Sequence, residues 1–255
     1  MKKIFIVVLS LALLQCSINK QVSLEERTNT SFKLDTLSLW DQSRDRKIPI
    51  AIYQPRQTSR ENRIQIIFSH GYGENNGSDY LHAYTYLTEF LSKMGYFVVS
   101  IQHELKTDEL LPMTGKLQET RLPNWERGAR NIFYTLQEIK KRYPQLQYNN
   151  LTLIGHSNGG DMSVLFAHRY PELVYKIISM DNRRMAIPRT SKPKILTLRS
   201  IDYPADENVL PTGEELKRYN ITVRFTKIKH SSMDNDANEA ERNYLKTEIL
   251  KYLKE

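Results

Sequence analysis

The chain has 255 residues, 40% of them hydrophobic and 26% charged, a balance that suits one α/β domain with a sizeable core. Ten glycines and ten prolines leave little room for disorder, and a single cysteine excludes an intrachain disulfide framework. The formal charge of +8 lies in short runs such as Arg183-Arg184 with no nucleic-acid motif, so a solvated basic face is expected and no nucleic-acid partner.

At the N-terminus, Lys2 and Lys3 precede Ile4 to Leu14, a run that is apolar except for Ser10. It reads as a signal peptide over residues 1–15, short of the ~20 residues a membrane-spanning helix needs. Cys16 follows at once, and LLQC resembles the lipobox of bacterial lipoproteins, although Gln15 stands where a small residue is usual. That resemblance implies export, lipidation of Cys16 and a membrane anchor at the periplasmic or outer-membrane face, with plain secretion as the alternative. Residues 16–30 are then a lipidated N-terminus and polar tether, and residues 31–255 the domain.

From Phe32, apolar and polar residues alternate through Leu34, Leu37, Leu39 and Trp40, and KIPIAIY (Lys47 to Tyr53) alternates as well. These predict an antiparallel strand pair joined through DQSRDR, with Pro49 favouring an edge. IQIIFS, Ile64 to Ser69, reads as the first strongly buried strand, and the loop HGYGENNGSD follows it. A helix is predicted from about Asp79 to Lys93, with Leu81, Tyr84, Leu87, Phe90 and Leu91 on one face and Gly95 as its stop. YFVVSI (Tyr96 to Ile101) is the next strand. The polar loop from Gln102 to Pro123 is long for a compact domain, which points to function or mobility. Asn124 is expected to cap a helix in which Trp125, Ala129, Ile132, Phe133, Leu136 and Ile139 recur at helical spacing.

Leu151 to Gly160 reads LTLIGHSNGG: a short buried strand, then G-x-S-x-G at Gly155, Ser157 and Gly159, with Gly160 following. Met162, Val164, Leu165, Phe166 and Ala167 continue as a helix stopped near Tyr170 by Pro171. Strand, sharp turn and helix is the context in which this motif lifts a serine hydroxyl clear of the backbone. Val174 to Met180, ILTLR (Ile195 to Arg199) and ITVRFT (Ile221 to Thr226) are further strands. A helical piece near Thr212 to Tyr219 and a closing helix from Asn235 to Leu253 complete the chain. About eight strands separated by helices imply an α/β architecture with a mostly parallel sheet covered on both faces. Asp181 to Lys194 is too short to hold a large cap.

Sites in such sheets form beyond the carboxyl ends of the strands. Ser157 is the candidate nucleophile. The candidate oxyanion donors are the N–H of Asn158 and one from the glycine-bearing loop, Gly71 or Tyr72, because acyl transfer builds charge on a carbonyl oxygen. Of the six histidines, His82 and His168 fall inside helices and His156 in the turn. His70 is expected to hold its loop, and His103 to line the site or satisfy a turn. His230, after the last strand, is the candidate base. Position favours Asp202 as the acid that orients it, with Asp206 and Asp181 as alternatives, while Asp234 is expected to cap the last helix. Trp125 reads as a core anchor or a substrate platform.

Together these segments resemble the α/β-hydrolase superfamily over nearly all of residues 31–255. GHSNGG is similar to its nucleophile elbow, HGYG to its oxyanion loop, and MGYFVVSIQH to the segment around its next strand. The order Ser157, Asp202, His230 is that family's nucleophile, acid, base order. The chain looks most like small exported hydrolases of the dienelactone-hydrolase, acetylhydrolase and polyester-esterase type, which lack a large lid. Two departures stand out. No helix is recognisable between Met180 and Ile195, and the acid loop RSIDYPADENVLP has two aspartates four apart, with Ser200 where glycine is frequent. The resemblance implies a serine hydrolase that cleaves small-molecule or polymer esters through an acyl-enzyme, with no metal or organic cofactor. A peptidase or amidase of the same fold, and a non-catalytic surface-binding lipoprotein, are the alternatives.

Overall fold

The computed structural model describes residues 31–56 and 64–255. The expected signal peptide, Cys16 and the tether, in residues 1–30, lie outside the described residues. Strands β1 (Phe32–Asp41), β2 (Arg46–Pro55), β3 (Ile64–Ser69), β4 (Phe97–Ile101), β5 (Gln147–His156), β6 (Lys176–Met180), β7 (Lys194–Arg199) and β8 (Thr222–Phe225) form one sheet. Their order is β1-β2-β4-β3-β5-β6-β7-β8. β2 pairs antiparallel with both β1 and β4, and all other neighbours are parallel. This is the mostly parallel, eight-stranded sheet that the apolar runs imply.

The two-residue period of a strand divides the core into two layers. Ile67, Val99, Leu153, Ile177 and Ile195 face one side; their neighbours Ile66, Val98, Ile154, Ile178 and Leu196 face the other. Helix α1 (Thr85–Lys93) covers the second side with the closing helix. Helices α2 (Leu122–Arg142) and α3 (Ser157–Arg169) cover the first, through Trp125, Ile132, Leu136, Met162 and Phe166. The short α4 (Gly213–Tyr219) precedes β8, and α5 (Glu239–Lys254) closes the chain. Both α4 and α5 begin with a capping box, Thr212 with Glu215 and Asn238 with Glu241. No helix stands between β6 and β7 and no large cap is inserted there, as the spacing implies. Among the described residues no helix is long and apolar enough to cross a membrane.

Several local expectations are corrected. Pro49 is not in an edge strand, because β1 covers β2. Its carbonyl accepts the Gln102 N–H just past the end of β4, so its missing donor falls at the end of the β2–β4 ladder and not against β1. Asp79 caps a 3-10 turn, Tyr80–His82, and α1 begins only at Thr85. Asn124 lies inside the first turn of α2, which starts at Leu122 with Pro123 in its first turn. The last helix is capped by Asn238 and not by Asp234, whose carboxylate accepts the Asp236 N–H.

Candidate active site

The turn from β5 into α3 is shaped by what its glycines omit. A Cβ on Gly155 would come within 2.4 Å of the Gly159 carbonyl oxygen, and one on Gly159 within 2.3 Å of the His70 carbonyl oxygen. The elbow therefore closes against the end of β3 only with glycine at both positions. Ser157 takes a left-handed backbone, φ 51°, a conformation that costs roughly 1–3 kcal/mol and is held by its surroundings.

Ser157 Oγ and His230 Nε2 are 2.9 Å apart, and His230 Nδ1 lies 2.6 Å from Asp181 Oδ2. Because the carboxylate only accepts, Nδ1 carries the imidazole proton and Nε2 accepts from the serine hydroxyl. Asp181 directly follows β6, the neighbour of β5, with φ 60°. Its other oxygen accepts the Ser200 N–H at 2.9 Å and lies 3.0 Å from Arg199 Nη2. Burial alone would push this carboxyl up. The His230 hydrogen bond, the Arg199 charge and Ser200 outweigh burial and hold it below its ordinary value.

The acid favoured by position, Asp202, is not on the ring. It accepts the backbone N–H of His230 at 2.8 Å and so anchors the histidine loop. Asp206 is further off: its N–H donates to the Arg183 carbonyl, and its carboxylate lies 3.9 Å from Arg184 Nε. The reason is distance along the chain. Asp202 stands three residues past β7, beyond the imidazole, whereas Asp181 leaves its strand with no residue between.

At the start of α3 the N–H groups of the first turn have no intrahelical partners, so the Asn158 N–H is available beside Ser157. In the loop after β3, the Gly71 N–H donates to Tyr84 Oη at 3.1 Å and the Gly73 N–H to Glu104 Oε2 at 2.9 Å. Tyr72 N–H has no partner among the described residues, which leaves Tyr72 and not Gly71 as the loop's available donor. Tyr84 Oη is also 2.7 Å from His156 Nδ1, linking the oxyanion loop to the elbow from beneath.

His70, His103 and Trp125 are buried and do not line the site. His70 Nδ1 donates to the Gly71 carbonyl at 2.6 Å, and its Nε2 accepts the His103 N–H at 2.9 Å. Burial pushes His70 down to about 4 and His156 to about 3, so both are neutral struts. His103 Nε2 pairs with Ser69 Oγ at 3.0 Å. Trp125 donates its indole N–H to Asn158 Oδ1 at 2.8 Å, and Asn158 Nδ2 donates to Asn124 Oδ1 at 3.0 Å. Glu104, buried under the loop, is pushed up to about 7 by burial, against the pull of the Gly73 N–H. Tyr84, Glu104, Arg199 and Tyr203, which stacks on the His230 ring at 4.9 Å, carry no local sequence signal. They meet the site only through the fold. Among the described residues no cluster of three or more His, Cys, Asp or Glu is placed to hold a metal ion.

No protein-family model matches the chain, and no curated protein matches its sequence. Solved structures do resemble it. A fungal esterase from Rhizomucor miehei superposes with a TM-score of 0.64 at 15% identity, over 88% of this chain and 82% of that one. A bacterial heroin esterase gives 0.61 at 14%, over 88% and 84%. Dipeptidyl peptidase 4 of Porphyromonas gingivalis gives 0.62 at 16%, over 91% of this chain but 37% of the other. At these identities the likeness establishes the α/β-hydrolase fold.

Proposed function

We propose that the protein is a serine hydrolase that cleaves carboxylic esters. The observation that carries this is the unbroken relay from Ser157 Oγ through His230 to the buried carboxylate of Asp181, with both links at hydrogen-bond distance. His230 takes the hydroxyl proton as Ser157 attacks the carbonyl carbon. Asp181, held by Arg199 and Ser200, fixes the ring and stabilises the imidazolium. The N–H groups of Asn158 and Tyr72 receive the developing oxyanion. His230 then passes the proton to the leaving alcohol, and a water activated by the same ring releases the acyl group from Ser157.

The esterases among the similar structures support the ester reading over amide cleavage. A fluorophosphonate probe should label Ser157, as located by mass spectrometry, and activated esters should be turned over much faster than peptide amides. A protein that the probe leaves unlabelled would overturn the reading. For the address we propose export and lipid anchorage at Cys16, which rests on the lipobox resemblance of residues outside the described structure.

A further inference from the structure

Beside His230 the site carries positive charge and apolar surface that the relay does not use. The Tyr203 ring, stacked on His230 at an interplanar angle of 24°, also bears the Arg183 guanidinium, whose carbon lies 4.4 Å from the ring centroid. This tyrosine is held in place through its N–H, which donates to Ser200 Oγ at 3.1 Å, and Arg183 Nε donates to the Pro204 carbonyl at 3.2 Å. Arg184 comes next. Its backbone N–H donates to Asp161 Oδ1 at 3.0 Å, one turn along α3 from Ser157, which keeps the segment against the nucleophile helix. From the other wall Arg121 donates to the Pro112 carbonyl at 2.8 Å, while Tyr72 Oη accepts the Leu111 N–H at 3.0 Å. The Tyr72 contact ties the segment bearing the exposed Leu110 and Met113 to the loop after β3.

Arg121, Arg183 and Arg184 lie close enough to feel one another's charge, with the Asp161, Asp206 and Asp181 carboxylates offsetting part of it. Among the described residues Arg183 and Arg121 form no ion pair with a carboxylate, and Arg184 has a single long one with Asp206 at 3.9 Å. Burial, followed by the charge of Arg184, lowers both Arg121, to about 10, and Arg183. An anion placed here would relieve that repulsion, and a planar guanidinium held by stacking is suited to receiving a carboxylate. The half-exposed Tyr203 ring, in contact with both the Arg183 guanidinium and the imidazole, offers an apolar surface beside them.

We propose that the site selects esters carrying a carboxylate a short aliphatic chain away from the scissile carbonyl. Arg183 and Arg184 receive the carboxylate, and Tyr203 packs the chain between them and His230. This rests on the serine-hydrolase reading and names its substrate class. The test compares mono-4-nitrophenyl adipate with 4-nitrophenyl hexanoate, which share leaving group and acyl length and differ by the terminal carboxylate. The wild-type protein should favour the adipate ester by about tenfold in kcat/KM, mainly through KM, and high salt should shrink the preference. Arg183→Gln and Arg184→Gln should each lower the adipate-to-hexanoate ratio by several-fold, up to about tenfold, the scale of a charge-assisted hydrogen bond. Adipate dianion should also inhibit hexanoate hydrolysis by the wild type, a measurement that needs no variant to fold. A wild-type ratio near one, or a ratio unchanged in both variants, overturns the proposal. Turnover of neither ester together with an unlabelled Ser157 overturns the hydrolase reading beneath it.

Discussion

The Asp181 carboxylate meets His230 Nδ1 at 2.6 Å, while Asp202, on the next loop, meets only the backbone of the same histidine. The two contacts have different chemical weight. An amide at Asp181 can donate as well as accept, so Asp181→Asn would permit the imidazole tautomer whose Nε2 cannot take the serine proton. The expected loss in kcat on an activated ester is about 10⁴-fold. An amide at Asp202 still accepts the backbone N–H through its oxygen, so Asp202→Asn should cost less than about tenfold. A larger loss at Asp202 than at Asp181 would reverse the assignment.

Trp125 supports the oxyanion side from within the core. Its indole N–H holds Asn158 Oδ1 at 2.8 Å, and Asn158 supplies a proposed oxyanion donor. Trp125→Phe keeps an aromatic ring in the core and removes the donor, leaving a buried amide oxygen without that partner. Denaturant unfolding should show a loss of about 1–3 kcal/mol. Steady-state kinetics should show kcat falling more than KM rises, because the oxyanion forms only after binding.

How far the sequence reaches can be seen at these positions. Ser157 is legible from an apolar strand, glycines where a Cβ would clash and a helix next, and His230 from its place in the loop after the last strand. The mostly parallel sheet covered on both faces is legible too, from buried apolar strands separated by helices, whereas the strand order appears only in the fold. Asp181 is harder to read, since three aspartates follow two consecutive strand ends and the residue types alone do not say which carboxylate reaches the ring. A signal was present: Asp181 alone abuts its strand, as Ser157 does. For Trp125 and His103 the sequence leaves a core role and a site role both open; each is buried and bonded to a residue distant in sequence, Asn158 and Ser69. Such pairings exist only once the layers have closed.

Cys16 lies outside the described residues, so the anchor is tested directly. Wild-type protein expressed in a bacterial host should partition with membranes and incorporate radiolabelled palmitate. Cys16→Ser should abolish labelling. Labelling that persists in the variant would remove the cysteine as the acceptor.

Glu104 gives a prediction in pH. Burial raises its carboxyl to about 7 from an ordinary 4.5, although it accepts the Gly73 N–H at 2.9 Å. The folded protein therefore keeps this proton over a range in which the unfolded chain has lost it. Unfolding between about pH 4.5 and pH 7 releases a proton and becomes easier as pH rises. The destabilisation is absent below the lower value, complete above the higher, and amounts to about 3 kcal/mol. Glu104→Gln keeps an oxygen for Gly73 and removes the charge. The variant should match the wild type near pH 4.5 and exceed its unfolding free energy by about 3 kcal/mol at pH 8. His70 and His156 act with the opposite sign. Burial lowers them to about 4 and about 3, so the stability they contribute is present above pH 6.5 and is lost as pH falls towards those values. Both histidines are common to the two proteins, so their contribution cancels in the difference between variant and wild type. A gain of equal size at both pH values would assign the effect to packing at residue 104 and not to its charge.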